Sequence, residues 1–256
     1  MRFKYLKRWL FDHPLKNNVL LKETYRVERC LGAGGYGFVY LCQHTVTGEH
    51  YILKQLRPTK AKKLKEQQRF QKEIQRLKEI QHKQIPSLID DFQEGEHLYY
   101  VMDWINGNNI EELLFFRKHA FTQLQTLQLI EQLLHVVEYL HDRHIFHSDI
   151  RTPNIIIMNG QLYLIDFGLA IQLNNSQTKE RAVRQQDDFF DIGETLLFLL
   201  YSQYTGTKKR GRTWLEELTL TEELTTLLKK LLGIDALYEN IATIRIDLQR
   251  AIQSIT

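Results

Sequence analysis

Cysteine is scarce in this chain of 256 residues, which contains only Cys30 and Cys42. Small secreted domains that lack a sufficient core depend on several disulfides, so two cysteines exclude a disulfide scaffold. We expect both residues to be reduced thiols in a cytoplasmic protein. A chain of this length with 43% hydrophobic residues can bury a sizeable core without cross-links. The length predicts one large domain or two small ones.

A strong excess of one charge is also missing. Lysine and arginine number 34 against 31 aspartates and glutamates, which gives a formal net charge of +3. Nucleic-acid-binding domains carry a clear basic excess, so the sequence does not predict a nucleic-acid partner. Internal repeats and low-complexity tracts are absent as well. The proportions of hydrophobic residues, 43%, and charged residues, 25%, are those of ordinary globular proteins and exclude wholesale disorder.

No hydrophobic run approaches the roughly 18 residues that a membrane-spanning helix needs. The richest stretch, residues 195–204, has ten residues and predicts a core helix. The amino terminus is basic but lacks the apolar core and cleavage site of a secretion signal, so we expect a cytoplasmic protein.

Residues 2–11 place apolar side chains on one helical face beside four basic residues. Packing on the chain's own domain is the favoured interpretation, with contact with an anionic membrane as the alternative.

The pattern of elements changes near residue 105. Before it, β-like runs surround one helical segment, and after it the chain is mostly helical. We therefore expect an N-terminal extension at 1–24, a first lobe at 25–105 and a second lobe at 106–256. The predicted strands are 25–31, 38–43, 50–56, 87–92, 97–104, 155–158 and 161–165. The predicted helices are 65–80, 123–141, 188–201, 221–232 and 240–253. The basic runs 57–65 and 208–212 are predicted to be solvated loops.

A glycine-rich turn joins the first two predicted strands. Gly32, Gly34 and Gly37 fit the pattern GxGxxG. Glycines let main-chain N–H groups approach phosphate oxygens closely. A dinucleotide-binding fingerprint would need a helix after the turn, whereas a β-like segment follows here. The pattern alone also fits a plain glycine-rich hairpin, so this alternative stays open.

Two charged residues lie at positions that predict burial. Lys54 lies inside an apolar strand, and Glu73 follows it by 19 residues on the apolar stripe of the helix 65–80. An inward-facing carboxylate is costly unless it is paired, and Lys54 is a natural partner. Such a pair could position a cation for ATP phosphates, although a purely structural ion pair fits the pattern as well.

Three oxygen-bearing side chains lie at the edges of one predicted hairpin. Asp149 and Asn154 precede it, and Asp166 follows it in the sequence Asp-Phe-Gly. Mg²⁺ prefers a few carboxylate or amide oxygens together with water and substrate phosphates, which suits Asn154 and Asp166. Asp149 is then available to accept a proton from a hydroxyl group.

These motifs, in this order and spacing, resemble those of the eukaryotic-like (Hanks-type) serine/threonine protein kinases of the small soluble bacterial type. The resemblance covers about residues 25–255. It implies an α+β, bilobal fold, with a small antiparallel sheet and one helix followed by a larger helical lobe. It also implies that ATP binds between the lobes and that its γ-phosphoryl group is transferred to a protein hydroxyl.

The resemblance assigns a role to each motif residue. Asp149 is the catalytic base, Arg151 stands where the family has a lysine near the γ-phosphate, and Lys54 with Glu73 holds the phosphates. Asn154 and Asp166 bind Mg²⁺, with Mn²⁺ as an alternative ion. Asp188 matches the buried aspartate that anchors the catalytic loop. The residues implied to surround the nucleotide are Gly32, Gly34, Gly35, Gly37, Val39, Lys54, Met102, Asp103 and Ile105.

Four features depart from the family pattern. Ser148 replaces the arginine that usually reads a phosphorylated activation loop, and Ile52 replaces a small residue above the adenine. Arg151 replaces the lysine of the family, so a planar guanidinium stands where a compact ammonium group is usual. Only 21 residues separate Asp166 from Asp188, and no Ala-Pro-Glu follows. We therefore expect a kinase that works without an activation-loop arginine switch.

Two other functions fit the same sequence. One is a small-molecule kinase, which the short activation segment permits. The other is a pseudokinase scaffold, for which Ile52 is the best support. Because all five polar catalytic positions are present, we favour an active protein kinase, with autophosphorylation as its first readout. Ser176 and Thr178 are candidate autophosphorylation sites.

Overall fold

The computed structural model describes residues 12–206 and 211–255. The chain divides into two compact units, residues up to Ile105 and residues from Asn106 onward. The amphipathic segment 2–11 and most of the basic run 208–212 lie outside the described residues.

The first unit contains a six-stranded antiparallel sheet. Its strands, in spatial order, are β1, β2, β3, β4, β6 and β5. Their bounds are Leu20–Leu21 (β1), Tyr25–Ala33 (β2), Gly37–His44 (β3), His50–Leu56 (β4), Leu88–Glu94 (β5) and His97–Asp103 (β6). Five of these strands match the predicted runs to within a few residues. The short β1 was not predicted; it pairs with β2, so the sheet begins before residue 25.

Two helices, α1 at Pro58–Ala61 and α2 at Leu64–Glu79, follow β4. Phe70, Ile74 and Leu77 recur at helical spacing on α2 and are all buried, as the sequence predicts. The run 57–65 is not the solvated loop that its charge suggested. It contains α1, and Arg57 at its start is buried. The basic composition of this run wrongly predicted solvent exposure, because Arg57 is buried beside a partner that is distant in the sequence.

An aromatic-rich core holds the sheet of the first unit together. Tyr25 packs face to face with Phe92, which in turn stacks on Tyr99. Cys42 is fully buried in this core, whereas Cys30 is partly exposed, and neither forms a disulfide. Burial raises the pKa of the Cys42 thiol to about 12, so it remains protonated and apolar in character.

The second unit is mostly helical. Its helices are α3 at Ile110–Phe115, α4 at Gln123–His141, α5 at Thr178–Leu200, α6 at Trp214–Glu217, α7 at Glu222–Leu231 and α8 at Ile241–Ile255. Thr122 begins α4 with a capping box, in which its hydroxyl accepts from the N–H of Gln125 and the Gln125 side chain accepts in return. Short strands complete the unit: β7 at Asn108–Asn109, β8 at Ile145–Phe146, β9 at Ile155–Met158, β10 at Gln161–Leu164 and β11 at Ile171–Gln172.

The hairpin of β9 and β10 turns at Asn159 and Gly160. Both residues have positive φ, 52° and 75°, as a two-residue hairpin turn requires. The prediction of a hairpin here is therefore confirmed. This hairpin carries the candidate metal ligands at its open end.

Helix α5 begins ten residues earlier than the sequence pattern predicted. The stretch 178–187 was not among the predicted helices but is helical. It contains no glycine or proline and consists largely of good helix formers, yet it is mostly exposed and has no apolar stripe. Hydrophobic periodicity detects a helix only where one face is buried, which explains the error.

The apolar run 195–204 lies at the end of α5 and in the following 3₁₀ turn, Tyr201–Gln203. Leu196, Leu199 and Leu200 are buried, which confirms the predicted core helix. Among the helices of the described ranges, none is long and apolar enough to span a bilayer.

Candidate functional site

The glycine-rich turn connects β2 to β3, and a strand follows it, unlike the helix of a dinucleotide fingerprint. Gly37 is required by packing, because a Cβ there would clash with the carbonyl oxygen of Gln55 on β4. A Cβ on Gly32 or Gly34 would meet no protein atom within 4 Å. Packing against other atoms of the protein therefore does not explain why glycine occupies those two positions.

Lys54 and Glu73 form the ion pair that the sequence predicts. The Lys54 Nζ lies 2.7 Å from a Glu73 carboxylate oxygen, and both residues are buried. Lys54 sits on β4 and Glu73 on α2, so the pair ties the helix to the sheet. The Tyr100 hydroxyl also donates to Glu73, at 2.8 Å. Tyr100 lies opposite Lys54 in the register of β4 and β6, and sequence reasoning missed it.

The other predicted nucleotide contacts of the first unit beyond the turn lie on β3 and β6 and directly after β6. Val39 on β3 pairs across the sheet with Lys54. Met102 lies opposite Ile52, which is buried. The N–H of Asp103 donates to the Ser87 carbonyl, so any adenine contact of Asp103 falls to its carbonyl oxygen. Ile105 follows β6 as the last residue of the unit.

In the second unit, the segment 147–154 places Asp149 beside Asn154. The Asn154 Nδ2 donates to the Asp149 carboxylate at 2.8 Å and to the Asp149 carbonyl at 2.9 Å. Pro153 helps to form the 3₁₀ turn at Thr152–Asn154 that brings the two residues together. Arg151 is exposed. The amide nitrogen of Asn154 is thus committed to Asp149, and its oxygen Oδ1 is the atom suited to a metal.

Asp166 lies at the same end of the hairpin as Asn154. The N–H of Ile165 donates to the Asn154 carbonyl at 2.9 Å, which places the two candidate ligands near one cross-strand position. Asp166 is exposed, has a φ of 65° and accepts from the N–H of Gly168. One carboxylate and one amide oxygen suit Mg²⁺, which takes its other ligands from water and phosphates.

Asp188 on α5 anchors the loop that carries Asp149. Its carboxylate accepts from the N–H of His147 at 3.0 Å, from the N–H of Ser148 at 2.8 Å and lies 2.8 Å from the His141 ring nitrogen. Asp188 has no solvent exposure. Ser148 has a φ of 59°, a conformation costly for a non-glycine residue, and these bonds hold it there. The anchoring contact expected from the resemblance is present.

Asp191 lies one turn further along α5, and sequence reasoning missed it. Its carboxylate accepts from the N–H of Ile150, directly after Asp149. Burial raises the pKa of Asp191 to about 7; the Ile150 hydrogen bond opposes this shift, whereas Asp188, Glu194 and Asp149 add to it. Its spacing of three residues from the buried Asp188 was the available signal, because residues three apart share a helix face.

Replacing Asp191 by Asn should change how stability depends on pH. The folded-state pKa is raised, so between about pH 4 and about pH 7 the folded chain holds a proton that the unfolded chain has lost. Wild-type stability therefore falls through this window and levels off above it. Asp191→Asn removes this loss of stability, so at high pH the variant should be more stable than wild type. We expect a gain in unfolding free energy of up to about 2 kcal/mol, because Asp191 is partly exposed and solvent screens its charge.

Urea unfolding at about pH 5 and about pH 8 measures the effect, with exposed Asp187→Asn as the control. Parallel pH profiles for Asp191→Asn and the control would contradict the raised pKa.

The chain is similar to known protein kinases in sequence and in structure. The family model described as "Protein kinase domain" matches residues 25–190. The Bacillus subtilis protein named "Probable serine/threonine-protein kinase YbdM" is 64% identical over 256 residues and matches all of both chains. Serine/threonine-protein kinase C of Synechocystis is 36% identical over 167 residues, which span 61% of this chain and 30% of that protein.

The structural comparison gives the same fold. The crystal structure of the Mycobacterium tuberculosis PknI kinase domain aligns with a TM-score of 0.72 at 20% identity and covers 93% of this chain and 100% of that one. The chain has the bilobal α+β kinase fold, and it belongs to the protein kinase family.

Proposed function

We propose that this protein transfers the γ-phosphoryl group of Mg²⁺-bound ATP to serine or threonine hydroxyls of proteins. The observation that carries the proposal is the buried pair of Lys54 and Glu73, with 2.7 Å between nitrogen and oxygen. A buried ion pair is seldom worth more than apolar packing of equal volume, so stability alone is a weak reason for it. The need to hold a lysine in place for phosphate binding explains why the chain buries this ion pair.

In this proposal the first unit binds the nucleotide. Lys54 neutralises charge on the α- and β-phosphates, and Glu73 keeps the ammonium group in place. Gly32 and Gly34, which no protein atom crowds, leave room for phosphate oxygens to approach the main chain. The remaining groups that we assign to nucleotide contact are Gly35, Gly37, Val39, Met102, Asp103 and Ile105.

Asn154 and Asp166 would hold Mg²⁺ through one amide and one carboxylate oxygen. The described residues contain no cluster of three histidine, cysteine or acidic side chains that would form a closed metal cage. Two protein ligands fit an ion that keeps water and phosphate in its coordination sphere, and Mn²⁺ would fit the same ligands. When bound, the ion supplies positive charge that stabilises the phosphates in the transition state.

Asp149 would act on the acceptor hydroxyl. The hydroxyl oxygen forms a bond to the γ-phosphorus, the bond from phosphorus to the bridging oxygen breaks, and ADP leaves. The proton of the hydroxyl goes to the Asp149 carboxylate. Asn154 orients that carboxylate through its 2.8 Å hydrogen bond. To Arg151, which is exposed and lies two residues after Asp149, we assign a contribution of positive charge near the γ-phosphate.

The proposal includes activity without an activation-loop switch, because Ser148 stands where an arginine would read a phosphate. Autophosphorylation is the readout that we expect first, and Ser176 and Thr178 are both exposed. A cytoplasmic location, where ATP and Mg²⁺ are abundant, belongs to the same proposal.

A small-molecule acceptor is the second candidate function. The early start of α5 leaves only eleven residues, 167–177, between Asp166 and the helix. So short a segment offers little main chain for binding an extended peptide. This observation favours a small acceptor, whereas the 64% identity to a named serine/threonine-protein kinase favours a protein one.

Purified protein incubated with γ-labelled ATP and Mg²⁺ tests the proposal. We expect label on serine or threonine of the chain itself and of a generic protein substrate, mapped by mass spectrometry. Label that appears only in an added pool of small hydroxyl compounds would favour the second candidate. If Mg²⁺-ATP neither transfers label nor raises the unfolding temperature, the chain is a scaffold without nucleotide chemistry.

A further inference from the structure

The glycine-rich turn is held by a residue outside every motif named so far. Arg57 directly follows β4, three residues after Lys54, and is 7% exposed. Its Nε donates to the carbonyl oxygen of Gly34 at 2.7 Å, and its backbone N–H donates to the carbonyl of Tyr36 at 3.1 Å. Its guanidinium also lies 4.4 Å from the centre of the Phe38 ring.

These two bonds orient two peptide groups of the turn. All described peptide bonds are trans, and in a planar trans peptide the carbonyl and the following N–H point in opposite directions. With the Gly34 carbonyl turned to Arg57, the N–H of Gly35 points away from Arg57. Because the Tyr36 carbonyl accepts from the N–H of Arg57, the N–H of Gly37 also points away from Arg57. The two bonds of Arg57 thereby fix the directions of two main-chain donors of the turn, the N–H groups of Gly35 and Gly37.

Asp12 supports Arg57 from far away in the sequence. Its carboxylate is fully buried and lies 3.5 Å from the Arg57 guanidinium. The same carboxylate accepts from the N–H of Thr59 at 2.9 Å and from the Thr59 hydroxyl at 2.8 Å. A buried guanidinium needs a counter-charge, and Asp12 supplies it while fixing the start of α1.

We propose that Arg57 and Asp12 are positioning residues that hold the glycine-rich turn in its phosphate-binding conformation. The inference rests on the proposed binding of ATP and adds a determinant of phosphate affinity. Its specific consequence is that the pair of Arg57 and Asp12 raises the affinity for the phosphates of the ligand and leaves the affinity for adenosine unchanged. A purely structural role would lower stability without this distinction.

Calorimetric titration of the full chain with Mg²⁺-ATP and, separately, with adenosine tests this. Arg57→Met keeps most of the side-chain volume and removes the guanidinium. We expect its ATP affinity to fall about 10-fold, as for loss of one charged hydrogen bond, while its adenosine affinity stays within about twofold of wild type. Asp12→Asn should shift ATP affinity in the same direction by a smaller factor. Exposed Arg26→Met on β2 is the matched control and should change neither affinity.

Each outcome decides the matter. Equal losses for ATP and adenosine, or no loss for either ligand, overturn the proposal while ATP binding by the wild type keeps the proposed function intact. Wild-type protein that binds no ATP overturns both. If Arg57→Met does not fold, Asp12→Asn decides by the same comparison of the two ligands.

Discussion

Phosphoryl transfer should fall by about 10³-fold or more when Lys54 is replaced by Met, because the change removes the positive charge assigned to the α- and β-phosphates. The variant should still fold. Its unfolding free energy should drop by about 3–5 kcal/mol, since the change leaves the buried Glu73 carboxylate without its cation. Transfer from γ-labelled ATP and urea unfolding measure the two effects separately.

A second variant separates catalysis from stability. Lys54→Met combined with Glu73→Gln removes the unpaired charge while Gln can still accept from the Tyr100 hydroxyl. This double variant should recover part of the lost stability and none of the activity. Lys78→Met is the control: Lys78 lies on the same helix as Glu73, and its solvent-accessible pair with Asp91 on β5 should cost less than about 1 kcal/mol to break. Recovery of activity together with stability would show that the Lys54 pair is only structural.

Replacing Asp188 by Ala should have the second large effect. The change removes the acceptor for the N–H groups of His147 and Ser148, and a buried donor without an acceptor costs about 1–3 kcal/mol. For the two donors together we expect a loss of about 2–6 kcal/mol in unfolding free energy. Transfer should become undetectable, because the loop that carries Asp149 loses the bonds that hold Ser148 at positive φ.

Asp187→Ala is the matched control for this variant. It is the same substitution one residue earlier, at an exposed carboxylate whose ion pair with Arg184 is open to solvent. It should cost less than about 1 kcal/mol. Thermal unfolding and labelled-ATP transfer on both variants give the comparison. Similar losses for Asp187→Ala and Asp188→Ala would refute the anchoring role.

The parts of the fold that the sequence predicted well are those that bury one face. Strands β2, β3, β4 and β6 alternate or run apolar, and α2 and α4 carry apolar stripes, so periodicity located them to within a few residues. Glu73 was predictable for the same reason, since a charge on an apolar stripe demands a partner. The hairpin at Asn159 was signalled by its turn residues.

The parts that were missed depend on long-range contacts or on short elements. Asp12 meets Thr59 across 47 positions of the sequence, and Tyr100 meets Glu73 across 27. No local pattern marks such pairs. The helices α1, α3 and α6 have four to six residues, which is too short for a period to show. The exposed start of α5 carried no stripe at all.

The departure at Ser148 has a structural account. The main chain of Ser148 is held by Asp188, and its N–H bond of 2.8 Å does not depend on the side chain. The loop that carries Asp149 is thus ordered without a side-chain contact from residue 148, and a serine offers no cation to bind a phosphate on the segment after Asp166. This supports the proposal of a kinase that is active as synthesised, and it agrees with a segment after Asp166 too short for a long regulatory loop.

The most direct test of the account is the rate of γ-phosphoryl transfer from labelled ATP by wild-type protein and by Asp149→Asn, with ATP affinity measured on both. The substitution keeps the size of the side chain and removes the proton acceptor. We predict a loss of about 10³-fold in transfer with ATP affinity unchanged within about twofold. Equal transfer rates for the two proteins would contradict the role of Asp149 and with it the proposed mechanism.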